Sequence, residues 1–81
     1  MEVSPLQLRA ARGLVNWSQR ELARRLKIAY PTMNYYENGL PVPPERLRKI
    51  LCIFENERIE FVNTPEGKGV LLRNGHTGAR G

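Results

Sequence analysis

Eighty-one residues are about half the length at which a second domain becomes expected, so the chain reads as one compact domain with a small core and little room for a large catalytic cleft. Thirteen Lys and Arg against eight acids, all of them glutamate, give a formal charge of +5, which favours a polyanionic partner, nucleic acid first. A single cysteine and a single histidine exclude an internal disulfide framework and a Cys/His zinc site, and no apolar run approaches the roughly 18 residues of a membrane span. The opening MEVSPLQLR has neither the basic start nor the apolar stretch of a signal peptide, so a cytoplasmic location without membrane contact is expected.

Proline and glycine divide the chain into short segments. Ser4, Pro5 and Gln7 make a capping box with proline at the first helical position, which predicts a helix over residues 5–15. Ser18 and Glu21 repeat the pattern and Trp17 is placed to staple onto Leu22, so a second helix of two turns is predicted over 19–26, with Leu22, Ala23 and Leu26 as its apolar stripe. A third is expected to begin near Pro31, because proline biases Tyr30 away from helical geometry, and to stop at Gly39. Its inner face carries Met33, Tyr36 and Glu37, and its outer face Pro31, Asn34, Tyr35 and Asn38. A fourth helix fits 44–56, with Leu47, Ile50, Leu51 and Phe54 inward and with Cys52 and Ile53 off that stripe.

From Ile59 the period becomes two. Ile59, Phe61 and Val62, the turn-rich stretch 64–69, and then Val70, Leu71 and Leu72 read as a β-hairpin. A lone hairpin is marginal in water, so this one is expected to rest on the spare apolar side of the fourth helix or to pair with another chain. Residues 74–81 are polar and glycine-rich and read as a disordered tail. The predicted class is therefore mostly α: a four-helix unit over 1–56 and a C-terminal hairpin over 57–73 expected to serve as a dimerisation element.

Two short helices joined by about three residues and packed on a longer first one form the helix-turn-helix arrangement that puts one helix into the DNA major groove. The stretch LRAARGLVNWSQRELARRLKIAYPTMNYYENG, residues 8–39, resembles the Cro/repressor-type (XRE-like) helix-turn-helix family at Arg12, Trp17, Ser18, Gln19, Glu21, Leu22, Ala23, Leu26, Ile28, Thr32, Met33, Tyr36, Glu37, Asn38 and Gly39. It departs from the family at Lys27, where glycine is usual in the tight turn and a left-handed residue with a side chain costs roughly 1–2 kcal/mol. It departs again at Ala29, which replaces a capping Ser or Thr at a loss of about 1 kcal/mol.

The resemblance implies a buried ion pair between Arg12 and Glu37, each a charge on a stripe where apolar residues belong. It also implies a phosphate contact at the start of the second helix, at Gln19 with Arg20 beside it, and base reading from Tyr30, Pro31, Thr32, Asn34 and Tyr35. By chemistry, Asn34 suits adenine, Thr32 a hydrogen bond or a thymine methyl, and Tyr35 a phosphate, while Pro31 offers apolar contact alone. Tyr30 is equally suited to packing against the turn. Asn38 and Gly39 could offer backbone amides to phosphate. Arg24, Arg25 and Lys27 fit either a phosphate track or a solvated face, Cys52 a partly buried small apolar position, and His76 no role. Ser4 and Ser18 are accounted for as caps, which leaves no nucleophile and argues against an enzyme.

The leading expectation is a transcriptional regulator, of repressor kind, that binds double-stranded DNA as a homodimer on a two-fold related operator and needs no cofactor or metal. Its dimer contacts are expected from Cys52, Ile53, Ile59, Phe61, Val62, Val70, Leu71 and Leu72. The alternative is an antitoxin or regulator whose C-terminal half captures a partner protein, a toxin or an anti-regulator. RNA binding ranks third, because no stacking-platform motif is present.

Overall fold

A computed structural model describes residues 2–74. Four helices, α1 (Pro5–Val15), α2 (Gln19–Leu26), α3 (Tyr30–Tyr36) and α4 (Pro44–Asn56), precede an antiparallel hairpin of β1 (Ile59–Thr64) and β2 (Gly67–Leu72). His76 and the rest of the expected tail after Asn74 lie outside the described residues.

The helix ends follow from local hydrogen bonding. At α1 both halves of the capping box form: Ser4 Oγ accepts from the Gln7 amide at 3.1 Å and Gln7 Oε1 accepts from the Ser4 amide at 2.9 Å. At α2 one half forms. Ser18 Oγ accepts from the Glu21 amide at 3.0 Å, while the Glu21 carboxylate turns outward to Arg24 and Arg25. The turn between α2 and α3 is a Schellman motif, in which the Ile28 amide donates to the Ala23 carbonyl and the Lys27 amide to that of Arg24. Lys27 holds φ 59 there, the left-handed geometry that glycine adopts without cost.

The third helix begins one residue earlier than the proline suggests. Ala29 takes the extended cap conformation with no side-chain hydrogen bond, so Tyr30 is the first helical residue and Pro31 the second, where its missing N–H has no intrahelical acceptor to forgo. The helix ends at Tyr36, and a turn closed by Gly39 at φ 112 carries the chain away.

One core gathers Leu8 and Ala11 of α1, Leu22, Ala23 and Leu26 of α2, Met33 and Tyr36 of α3, Ile50 and Phe54 of α4, and Ile59 and Phe61 of β1. Trp17, between α1 and α2, packs its ring on Phe54 at 5.5 Å, and Phe54 meets Phe61 edge-on at 5.7 Å. This aromatic column ties the helix-turn-helix half to the hairpin. Leu47 and Leu51 of the expected inner stripe are half-buried, as is Ile53, whereas Cys52 is exposed and not partly buried. Position 52 falls on the side of α4 opposite the Ile50–Phe54 edge that the core occupies.

The hairpin is tighter and better supported than its sequence suggests. Its connection is the two residues Pro65 and Glu66, because Thr64 Oγ1 accepts from the Glu66 and Gly67 amides at 3.2 Å each and lets the strands run to Thr64 and Gly67. Support comes from α1 as well as α4. Gln7, only 3% exposed, donates its side-chain amide to the Val62 carbonyl at 3.2 Å, the Asn63 Oδ1 at 3.1 Å and the Gly69 carbonyl at 2.9 Å. Val62 and Gly69 face each other across the ladder, so one side chain grips both strands. Ile59 and Phe61 are the strand's contribution to the protomer's own core and are not free for a dimer contact.

Gln7→Leu should remove the amide donor from these carbonyls and the side-chain half of the α1 capping box together, at a cost of about 1–3 kcal/mol. Chemical denaturation would show it as a lower midpoint with an unchanged slope. A midpoint within error of the parent chain would mean that the bridge contributes nothing.

Candidate nucleic-acid interface

The centre of the site is a carboxylate with no exposure to solvent. Glu37, at the end of α3, receives the Arg12 guanidinium side-on, Nε to Oε2 at 2.5 Å and Nη2 to Oε1 at 2.8 Å, and Gln19 Nε2 donates to Oε1 at 3.0 Å. The remaining Arg12 nitrogen, Nη1, donates to the Trp17 carbonyl at 2.9 Å, and Arg9 Nη2 to the Glu37 carbonyl at 2.5 Å. Arg9 and Arg12 of α1 and Gln19 at the start of α2 therefore converge on the last turn of α3, and Arg12 also holds the α1–α2 turn. The hydrogen bond to Glu37 raises the Arg12 pKa above its ordinary value, with burial opposing and the carboxylate's charge assisting, so Arg12 stays charged at every accessible pH.

That lock leaves one face of α3 outward. Pro31 and Tyr35 are exposed, Tyr35 at 59%, and Thr32 and Asn34 are half-buried at its flank. Asn38 donates its side-chain amide to the Asn34 carbonyl at 2.7 Å and, more weakly, to Asn34 Oδ1 at 3.4 Å. The expectation that the Asn38 and Gly39 backbone amides are free for phosphate does not survive. They donate to the Tyr35 and Tyr36 carbonyls at 3.0 and 3.2 Å, because the helix end itself uses them. Gln19 has one amide hydrogen directed at Glu37 and one left over.

The cations of α2 are not equivalent. Arg24 and Arg25 both close on Glu21, at 2.5 and 2.8 Å, and Arg25 also lies over the Trp17 ring at 4.0 Å. Glu21 is held below the ordinary carboxylate range, first by the hydrogen bond from Arg24 and further by that from Arg25. This support is present above the ordinary carboxylate pKa and is lost as pH falls through the lowered value. Arg20 instead lies over the Tyr30 ring at 4.3 Å, which joins the starts of α2 and α3.

Of the residues expected at a dimer contact, Cys52, Leu71 and Leu72 are exposed, the leucines at 42% and 53%. Ile53, Val62 and Val70 are half-buried, and Ile53 and Val70 pack on the core. Arg9 and Arg46, whose Nη1 donates to the Tyr36 hydroxyl at 2.8 Å, were not marked by any spacing, and Gln7 was marked only as the capping partner of Ser4. A polar residue on the buried side of a helix was the signal available for Gln7. Among the described residues no group of His, Cys, Asp or Glu is placed to hold a metal ion, and no helix is long and apolar enough to cross a membrane.

Arg12→Ala should cost about 3–5 kcal/mol, since it strands a buried carboxylate, whereas Arg12→Met combined with Glu37→Leu should recover much of that loss. Thermal melting of both variants separates this outcome from a DNA role. A folded Arg12→Ala chain of parental stability that fails only in DNA binding would make Arg12 a DNA contact instead.

Among curated proteins no match to the chain was found. The family model described as helix-turn-helix matches residues 8–61, well over half of the chain, and spans the lock, the turn and the outward face of α3. The family is one of DNA-binding regulators and not of enzymes, and by this match and this fold the chain belongs to the helix-turn-helix family of DNA-binding transcription regulators, of the Cro/XRE kind.

Proposed function

We propose that the chain is a sequence-specific regulator that binds a two-fold related operator as a homodimer, with α3 in the major groove and the C-terminal half joining the protomers. The observation that carries this reading is the outward face of α3, neutral and rich in hydrogen-bonding groups, held in place by an ion pair whose carboxylate is fully buried, in a chain of charge +5. Asn34 pairs with adenine, Thr32 and Pro31 meet thymine methyls, and Tyr35 reaches a phosphate. The free amide hydrogen of Gln19 takes a phosphate oxygen, and the Asn38 amide, on exchanging its weaker contact to Asn34 Oδ1, takes another, which fixes the register.

One module covers too little DNA for tight binding, and a second, about 34 Å along the duplex, supplies the rest. The hairpin folds on its own protomer, so the case for a dimer rests on what it leaves uncovered: consecutive exposed leucines at 71 and 72 beside an unpaired strand edge. Capture of a partner protein, as by an antitoxin, is the second reading. Exposed Leu6 and Leu14 on the outer side of α1 favour it, because a C-terminal dimer does not require them.

Affinity for DNA should fall steeply with salt, with a log–log slope of magnitude at least about 4 for a dimer, and a flat response removes the nucleic-acid reading. Asn34→Ala and Tyr35→Ala should each weaken specific binding by about 1–3 kcal/mol at unchanged melting temperature; normal binding by both would place the reading surface elsewhere.

Cutting the chain after α4 would take Ile59 and Phe61 out of the core, so the dimer is better tested by Leu71→Lys with Leu72→Lys. The double variant should sediment as a folded monomer and bind a half-site weakly and without cooperativity. A parent chain that is monomeric at concentrations on the order of tens of micromolar would favour the partner-protein reading instead.

A further inference from the structure

The face that α3 presents outward carries Pro31, Thr32, Asn34, Tyr35 and Asn38 and no charged side chain. That set suits adenine and the thymine methyl and leaves guanine without its usual partner, a planar fork of two donors to O6 and N7. Such a fork lies next to it. The Arg20 guanidinium leaves α2 and sits over the ring of Tyr30, the first residue of α3, at 4.3 Å. Arg24 and Arg25 on the same helix are closed on Glu21, whereas Arg20 has no hydrogen bond or ion pair among the described residues. Both members of the pair are exposed, and Tyr30 is 38% accessible.

We propose that Tyr30 is a platform and not a base reader: its ring holds the Arg20 guanidinium at the mouth of the major groove, where Arg20 takes O6 and N7 of a guanine. This rests on the DNA-reading role of α3 proposed above. The N-terminal residues of a reading helix approach base edges, so a side chain drawn from α2 to the first residue of α3 is carried towards them. Holding a flexible arginine on a ring lowers the conformational entropy lost on binding, and the benefit is largest for a contact that needs both donors aligned. A phosphate accepts a point charge from many directions and gains little from such ordering.

The test is binding-site selection from random-sequence duplexes by the full chain and its variants. The parent chain should enrich a guanine at one position of each half-site. Arg20→Ala and Arg20→Lys should lose the preference at that position alone, with affinity for the selected duplex lower by about 5- to 150-fold. Tyr30→Ala should lose the same guanine preference and Tyr30→Phe should keep it. Replacing that guanine by 7-deazaguanine, which alters no protein atom, should weaken the parent chain and leave Arg20→Ala unaffected.

Uniform weakening of Arg20→Ala across all sequences, with the salt slope reduced by about 1 per module, would make Arg20 a phosphate contact and overturn the proposal. A Tyr30→Ala change at a different base from Arg20→Ala would overturn the platform. A parent chain that selects no motif sinks the DNA reading, and this proposal with it, and is told apart because the failure precedes any substitution.

Discussion

A carboxylate removed from water has to find its donors inside the protein, and in this fold the pose of α3 depends on how Glu37 finds them. Its oxygens take the fork of Arg12 and an amide of Gln19, and its carbonyl takes Arg9, so both preceding helices are tied to the end of one seven-residue helix. Helices this short have little stability of their own. α3 has no side-chain cap and no acid in its first turn, and Met33 and Tyr36 are its only fully buried apolar anchors. The ion pair fixes its rotation about its own axis, and that rotation decides which side chains face outward. A buried pair of this kind adds little net stability over an apolar substitute of equal volume, so its value here lies in specifying one arrangement.

The same economy of charge runs along α2. Glu21 is shared by Arg24 and Arg25 and offsets one of their two charges, and Trp17 covers the face of Arg25. The ring that receives Arg25 is also the first of the column Trp17, Phe54 and Phe61, which crosses the core to the hairpin. Gln7 makes a second crossing, from the start of α1 to both strands. The hairpin is thus part of the domain's core and not an appendage, and any surface it offers to another molecule lies on the side away from Ile59 and Phe61.

Local chemistry made much of this legible in the sequence. Ser4 with Gln7, Ser18 with Glu21, and prolines at positions 5, 31 and 44 marked the helix starts, because orphan amides at a helix end admit few side chains. Arg12 and Glu37 stood out as charges on apolar stripes. The contacts of Gln7 to Val62 and Gly69 were out of reach, since they join residues more than fifty positions apart and a capping role already explained the glutamine. Cys52 and the pair Ile59 and Phe61 were misplaced for a related reason. Period alone identifies an apolar face but not which neighbour covers it, and the neighbours of β1 here are α4 and α1.

The division of roles among the arginines has the same origin and is the most informative part of the interface. Spacing on a helix groups Arg20, Arg24 and Arg25 as one basic run, yet one acid at position 21 and aromatic rings at 17 and 30 separate them into two side chains that share a carboxylate and one without an acidic partner among the described residues. A glutamate in the first turn of α2 therefore acts on what the helix can offer to a polyanion as much as on the helix itself. Net charge favours a polyanionic partner, but which cation is open beside α3 is set by which of its neighbours already have a partner.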